Sequence, residues 1–204
     1  MPTLHEQFGE IDIYLFDQLL RGRIRSGMRI LDAGCGGGRN LIYLLREGYE
    51  VYAVDRDPEA IADVRRWAAL LAPALPVTNV QVAHLETVPY ADEFFDLVIC
   101  NAVLHFAQDD KQFQAMLNGI WRVLKAGGVL FCRLASSIGI EKQVKRLAGR
   151  RFLLPDGSER YLVDAPLLER LTIKLGGTLL DPIKTTVVQN QRSMTTWVMR
   201  KGVE

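Results

Sequence analysis

The chain has 204 residues, 49% of them hydrophobic, and a formal net charge of +1. This length suits one domain with a full hydrophobic core, and the near-neutral charge gives no general attraction to nucleic acid or to an anionic membrane. No apolar run is long enough to span a membrane, and the first residues lack the basic and apolar regions of a signal peptide. We therefore expect one soluble, cytoplasmic domain over residues 1–204, without a nucleic-acid or membrane partner.

The cysteines argue against disulfide and metal chemistry. Cys35, Cys100 and Cys132 are odd in number, and none forms a C-x-x-C pair. Each lies in or beside a predicted strand. We expect buried, reduced thiols and no metal site.

The leading segment is predicted to be helical. Residues 8–20 place apolar side chains at helical spacing, with acidic side chains elsewhere. A single amphipathic helix is expected there, within a leading segment of residues 1–25.

A glycine-rich loop follows the first predicted strand. Apolar residues lead into Asp32, four glycines occur among residues 34–38, and helical spacing resumes over 39–47. Glycine lets a ligand lie against the main chain, and the next helix offers unpaired N–H groups. Strand, loop and helix together predict a site for a nucleotide-like ligand.

The glycine spacing argues against a dinucleotide fingerprint. Gly34, Gly36 and Gly38 step by two, whereas a dinucleotide loop has its third glycine three places after the second. Asp32 would repel a pyrophosphate but suits a ligand with an ammonium or sulfonium charge.

Strands and helices then alternate. A strand over residues 49–54 ends at Asp55, 23 positions after Asp32, close to where a Rossmann-type unit places the acid that binds ribose hydroxyls. A helix over 58–71 and strands at 78–83 and 94–101 follow. Short alternation of this kind predicts a parallel sheet with right-handed crossovers.

The second half of the chain contains less regular elements. We expect a helix over 109–124, a strand over 129–134, a hairpin over 152–163, a helix after Asp164 and two strands at 178–189 and 193–200. Five basic residues gather between positions 139 and 151. They are interpreted as a solvated helix face or as a guide for an anionic substrate.

The run LDAGCGGGRN of residues 31–40 closely resembles the first motif of the class I S-adenosylmethionine-dependent methyltransferases, and the likeness extends in pieces over residues 28–131. It implies an α/β, Rossmann-like three-layer sandwich. The sheet would have seven mostly parallel strands in the order 3-2-1-4-5-7-6, with an antiparallel last strand. The resemblance also implies a leading helix over the site and a variable insertion at residues 137–163.

The same resemblance implies S-adenosyl-L-methionine as cofactor. The residues expected to bind it are Asp32, Gly34, Cys35, Gly36, Gly38, Asn40, Asp55, Arg56, His84, Leu85, Glu86 and Asn101. His84 stands where the family usually has the aspartate that accepts from the adenine amino group. Glu86 is a nearby substitute acceptor.

The implied activity is methyl transfer to an unidentified, small-molecule acceptor. His105 is the candidate base or substrate ligand; the alternative is a histidine packed under the site. Asn101 is not followed by the prolines and aromatic of enzymes that methylate exocyclic amines, and a likeness to the tellurite-resistance and thiol-methylating group rests on residues 38–43. Alternatives are a non-catalytic cofactor-binding or regulatory protein and an NAD(P)-dependent reductase. A homodimer is left open.

Overall fold

The computed structural model describes residues 3–203, and a central eight-stranded sheet organises them. Its strands are β1 (Arg29–Ala33), β2 (Glu50–Asp55), β3 (Val80–Val82), β4 (Phe95–Asn101), β5 (Leu124–Ala135), β9 (Gly177–Leu179), β10 (Lys184–Val188) and β11 (Arg192–Lys201). The order is β10-β11-β5-β4-β1-β2-β3, with β9 also pairing with β11. Strands β1 to β5 are parallel, whereas β11 is antiparallel to β5.

The described residues form six α-helices, of which the last five cover the two faces of this sheet. They are α1 (Leu4–Phe8), α2 (Ile13–Leu20), α3 (Ile42–Arg46), α4 (Pro58–Leu71), α5 (Asp110–Arg122) and α6 (Ala165–Lys174). Apolar residues of α2, α3 and α4 share one buried cluster, and those of α5 and α6 share another. The predicted α/β three-layer class is therefore confirmed.

The sheet differs from the prediction in one detail. When β9 and β10 are counted together as the sixth strand and β11 as the seventh, the order is the expected 3-2-1-4-5-7-6. The difference is that this sixth strand is divided in two. Asp181 and Pro182 lie at the break, where Pro182 lacks an N–H for the ladder and the Asp181 carboxylate turns to the leading segment.

The single leading helix predicted over residues 8–20 is wrong. Gly9, at a φ of 60°, ends α1, and Asp12 then caps α2 by accepting from the Tyr14 N–H. The helix after the glycine loop is also shorter than expected, because α3 begins only at Ile42 and its cap position, Leu41, has no capping side chain.

The insertion forms a separate three-stranded sheet. Its strands are β6 (Lys145–Ala148), β7 (Arg151–Leu153) and β8 (Glu159–Tyr161), in that order. The predicted hairpin is present, but the basic residues before it lie in a turn and in β6, so the helix-face interpretation is wrong.

Tyr161 fixes the insertion to the body of the protein. Its ring stacks on Phe113 of α5 with centroids 4.5 Å apart, and its hydroxyl donates to Asp110 at 2.8 Å. Burial raises the pKa of the Tyr161 phenol, so it remains a donor. Arg150 also pairs with Asp164, which caps α6.

Within residues 3–203, no helix combines the length and apolar character that a membrane crossing requires.

Candidate functional site

A cavity of about 590 Å³ lies at the carboxyl ends of the parallel strands. Its wall follows the strand order: residues after β3, β2, β1 and β4 contribute in turn, as they do in open α/β sheets that bind ligands at this edge. The lining residues are Gly34, Cys35, Gly36, Gly37, Arg39, Asn40, Asp55, Arg56, Asp57, Ala60, Ala83, His84, Leu85, Glu86, Asn101, Ala102, Val103, Phe106, Gln112 and Met116. The volume lies within the range of roughly 300–1,000 Å³ typical of small-molecule sites.

Asp55 is held in place at the end of β2. One carboxylate oxygen accepts from the Gly36 N–H at 2.9 Å, and the other accepts from the Asp57 N–H at 3.0 Å. Each oxygen keeps a further lone pair. The carboxylate is thus oriented toward the cavity as a double acceptor, which suits a pair of hydroxyl groups.

Two buried polar side chains near the loop have no partner among the described residues. Both carboxylate oxygens of Asp32 and both amide atoms of Asn101 are enclosed without a hydrogen bond. In the register of the sheet, Asp32 pairs with Ile99, two positions before Asn101, so the two side chains lie on the same face. A buried acceptor left unpaired is costly, and a cationic ligand group would relieve that cost.

The environment of Asp32 changes its titration. Burial raises the pKa of this carboxyl to about 7, with Asp55 adding to the rise and Arg39 opposing it. Asp32 is therefore partly protonated near neutrality in the ligand-free protein. A positive group placed beside it would favour the ionised form.

A polar cluster extends from this position to the leading segment. Arg133 of β5 lies beside Asn101 in the sheet register, and its guanidinium pairs with Asp12 at 3.0 Å. The Asp12 N–H donates to Asn40 at 3.1 Å, and the Arg133 Nε–H has no partner among the described residues. Helix α2 is thereby attached above the strand ends that carry the site.

The β3 end of the cavity contains the turn that follows the strand. His84 is exposed, and Leu85 is buried in a short 3₁₀ helix. Glu86 accepts from the side-chain amide of Gln112 on α5 at 2.9 Å, which leaves its second oxygen without that bond.

Gly119 on α5 supports this turn and was missed by sequence reasoning. A Cβ on Gly119 would overlap the Leu85 carbonyl oxygen, a backbone atom that has little room to move. The signal in the sequence was a lone glycine on the buried face of a predicted helix.

His105 lies beneath the cavity and is absent from its lining. It is 5% exposed, and its Nδ1 accepts from the Ala135 N–H at 3.1 Å, which places the proton on Nε2. Burial, and secondarily the charge of Arg160, lowers the pKa of His105 to about 4. This environment matches the packed-histidine alternative, and a catalytic role for His105 stays a prediction.

Ten of the twelve predicted cofactor residues line the cavity. Asp32 is buried beneath the loop, and Gly38 packs on α4, where a Cβ would come within 3.0 Å of Val64. Gly34 does line the cavity, and a Cβ there would overlap the Val103 side chain. Two of the loop glycines therefore serve packing of the loop itself, and their contact with a cofactor stays a prediction.

Four aromatic and basic residues of the leading segment do not close the cavity. The Tyr14 hydroxyl bonds to Thr186 at 2.6 Å, and Arg21 and Arg23 pair with Asp181. Phe16 packs edge-on against Phe8. Tyr14 and the two arginines attach this segment to β10 and to the break between β9 and β10, whereas Phe16 contacts α1.

The three cysteines are free and buried, as predicted. Burial raises the pKa of the Cys35 thiol well above its ordinary value. Within residues 3–203, no three His, Cys, Asp or Glu side chains come together in a way that would hold a metal ion.

The fold and the cavity define an α/β protein with a nucleoside-type ligand site at its strand ends. Comparison with known proteins names the family: a model described as a methyltransferase domain matches residues 31–132, half of the chain. The chain belongs to the class I S-adenosylmethionine-dependent methyltransferases, and the predicted family and its cofactor, S-adenosylmethionine, are confirmed.

Individual relatives are similar over part of their length. The methyltransferase YodH of Bacillus subtilis is 35% identical over 117 residues, 57% of this chain and 44% of that protein. The tRNA 5-carboxymethoxyuridine methyltransferase of Escherichia coli is 26% identical over 124 residues, 61% of this chain and 46% of that protein. The chain spans about half the length of the curated relatives it matches.

Solved structures share the fold over nearly the whole chain. A methyltransferase of Methanosarcina mazei superimposes with a TM-score of 0.72 at 21% identity, covering 91% of this chain and 98% of that one. The magnesium protoporphyrin IX methyltransferase of Synechocystis, with bound S-adenosylhomocysteine, gives 0.72 at 18% identity and covers 93% and 81%.

These relatives leave the partners open. The expectation that nucleic acid is not a partner is unsupported, because one relative is a tRNA methyltransferase. Homodimer formation and cytoplasmic location stay predictions.

Proposed function

We propose that this chain is an S-adenosylmethionine-dependent methyltransferase acting on a small-molecule acceptor, and that residues 1–204 act as one domain. The observation that carries the proposal is the pair of buried, unpartnered side chains, Asp32 and Asn101, on one face of adjacent strands beside the cavity. They are acceptors and donors without a use in the protein alone. An amino acid group with an ammonium charge would use them.

The other lining residues fit the rest of such a cofactor. The two oriented oxygens of Asp55 would accept from the ribose hydroxyls. The Leu85 backbone, with His84 or the free oxygen of Glu86, would bind the adenine at the β3 end. The reactive methyl would then lie toward β4, where Asn101, Ala102, Val103 and Phe106 form the wall.

The bound cofactor would supply a methyl group on a positively charged sulfur. The chain would contribute binding and alignment, and near-attack alignment alone is worth roughly 7–11 kcal/mol. Among the described lining residues between β4 and α5, which are Asn101, Ala102, Val103, Phe106, Gln112 and Met116, none carries a titratable side chain. The acceptor atom would therefore supply its own lone pair, as a carboxylate or thiolate does.

The non-catalytic alternative predicts a site closed by the hairpin. No residue of 152–163 lines the cavity, which therefore stays open beside the expected methyl position. This openness favours an enzyme over a binding module. Family membership and the glycine spacing both disfavour a nicotinamide-dependent reductase.

The proposal is tested by calorimetric titration with S-adenosylmethionine, S-adenosylhomocysteine and NADH. We expect the first two to bind and to compete with each other, and NADH to compete with neither. Conversion of bound S-adenosylmethionine to S-adenosylhomocysteine when an acceptor is added separates an enzyme from a binding module. Failure of both sulfur nucleosides to bind would reject the proposal.

A further inference from the structure

The insertion places one arginine against a side chain that lines the cavity. The Arg160 guanidinium on β8 lies over the Phe106 ring, 4.9 Å from its centroid. Phe106 lines the cavity on the side of the expected methyl position and is 43% exposed. The Phe106 ring therefore joins the insertion to the cavity wall, and a ligand that reaches past the edge of this ring would come within range of the guanidinium.

Arg160 has no carboxylate within ion-pair distance in residues 3–203, unlike three arginines near it. Arg150 pairs with Asp164, Arg151 pairs with Glu159, and Arg192 pairs with Asp156. The one hydrogen bond recorded for Arg160 is from its Nη1 to the Glu159 carbonyl oxygen, at 2.7 Å. A guanidinium has five N–H donors, so most of those of Arg160 remain available.

Contacts on both sides of Arg160 hold its strand in place. Tyr161, next to it on β8, is buried between Phe113 and Asp110 of α5, and the Arg151 guanidinium donates to the Ala107 carbonyl oxygen beside Phe106 at 3.3 Å. Stacking over an aromatic ring leaves the in-plane donors of a guanidinium free to bind a carboxylate. A fixed charge on a rigid element is a suitable specificity determinant.

The surrounding charge favours an anion. Residues 139–163 carry six basic and three acidic side chains, a net charge of +3, although the whole chain carries +1. Lys142, Lys145 and Arg146 are in no ion pair with the described residues, so they would add to the attraction of an anion toward the insertion.

We infer that the methyl acceptor is an acidic small molecule and that Arg160 is the residue that selects it, by binding its carboxylate beside Phe106. This inference rests on the proposed function and names its substrate class. The neutral wall between β4 and α5 agrees with it, because an anionic acceptor needs no base in the protein. The insertion is then the part of the chain that recognises the acceptor.

The test uses benzoate and its neutral counterpart benzamide as probes. Each is titrated into protein saturated with S-adenosylhomocysteine, and its binding is monitored by NMR. The matched variants are Arg160→Gln and Arg146→Gln. Arg146 also lies over an aromatic ring of the same small sheet, Phe152 at 5.2 Å, but that ring does not line the cavity. Both variants remove one charge and one guanidinium that lies over an aromatic ring.

We expect benzoate to bind at least about tenfold more tightly than benzamide in the wild type, because bidentate pairing with a guanidinium requires an anion. Arg160→Gln should abolish that preference, and Arg146→Gln should change it less than about twofold, since a distant surface charge acts weakly. Arg160→Lys, which keeps the charge but not the planar donors, should fall between them.

Equal binding of the two probes, absence of binding by either, or equal effects of the two glutamine variants would overturn the inference. Calorimetry with S-adenosylhomocysteine separates this from failure of the proposed function. If that ligand binds the wild type and Arg160→Gln alike while the benzoate preference is missing, the inference about the acceptor alone is rejected. If it does not bind the wild type, the proposed function is rejected as well.

Discussion

The glycine-loop region (residues 29–57) and the insertion (residues 137–163) treat their charged groups in opposite ways. In the loop region, Asp32 is buried and has no partner among the described residues. In the insertion, Arg150 and Arg151 are paired with carboxylates, whereas Arg160 and the exposed Lys142, Lys145 and Arg146 are in no ion pair with the described residues. The first region keeps its unpaired group buried beside the cavity, whereas the second leaves its unpaired cations partly or fully exposed around two ion pairs.

The comparison is tested most strongly at Asp32. Its pKa of about 7 in the folded protein lies above that of an unfolded aspartate, about 3.9, so ionising it opposes folding. The ligand-free protein should lose stability as pH rises from about 4 through about 7, by on the order of 4 kcal/mol, and change little above that range. Asp32→Asn should remove this pH dependence and weaken cofactor binding, as measured by chemical denaturation and calorimetry at pH 5 and 8.

Asp96 provides the matched control. This carboxylate accepts from the Arg29 N–H at 2.8 Å and from Lys125 at 2.7 Å; although burial alone would raise its pKa, these bonds lower it. Asp96→Asn should therefore destabilise the protein at pH 8 and leave cofactor affinity unchanged. Destabilisation of similar size at pH 8 by both substitutions would mean that Asp32 is also a partnered group.

The next largest effect is expected at Gly119. A Cβ there would overlap the Leu85 carbonyl oxygen, and overpacking against backbone costs about 3 kcal/mol. Gly119→Ala should lower the free energy of unfolding by this amount and weaken S-adenosylhomocysteine binding by displacing the turn at Leu85. Asn118→Ala, on the exposed side of the same helix, should change stability by less than about 0.5 kcal/mol. A stable Gly119→Ala protein with normal affinity would show that the turn is free to move.

Asp55 tests the β2 end of the site. Its carboxylate accepts from two backbone N–H groups and keeps further lone pairs on the side of the cavity. Asp55→Ala should weaken S-adenosylhomocysteine binding about tenfold to a hundredfold, since hydrogen bonds to a charged acceptor contribute about 1.5–3 kcal/mol. Calorimetry measures the change. Asp92→Ala, which removes an exposed carboxylate paired with Arg122, should leave affinity unaltered, and an equal response of the two variants would remove Asp55 from the site.

The smallest effect belongs to the insertion. Tyr161→Phe removes the hydroxyl bond to Asp110 but keeps the stacking on Phe113, so unfolding should become easier by about 1 kcal/mol. Cofactor affinity should not change, in contrast to the loop variants. Tyr43→Phe, which also removes one phenolic hydroxyl but no recorded hydrogen bond, is the thermal-denaturation control. A cofactor affinity that falls in Tyr161→Phe would erase the distinction between the two regions.

Much of the fold could be predicted because its signals are local. Apolar runs mark the parallel strands, Asp57 and Asp164 cap helices where the pattern indicates, and glycines with positive φ form the loop. The cavity wall could be predicted for the same reason, since each lining segment follows a strand end.

The remaining features depend on contacts between distant residues. No local pattern tells that Gly119 touches Leu85, that Arg160 lies over Phe106, or that residues 145–148 join the hairpin as a third strand. The division of the leading helix at Gly9 was readable in principle, because glycine at positive φ ends helices. The apolar spacing on both sides of it concealed the break.

The attachments of α2 determine when that helix joins the fold. Tyr14 bonds to Thr186, and Gln18 and Arg23 bond to Asp181, partners that lie 158 to 172 positions away in the chain. Burial alone would raise the pKa of the Asp181 carboxyl, but its bonds to Arg23 and Gln18 lower it, so these contacts hold an ionised group. Closing so long a loop carries a large entropic cost, and such contacts form late in folding. The bonds of α2 and its flank to Thr186 and Asp181 can therefore form only once the strands near the far end of the described chain are in place.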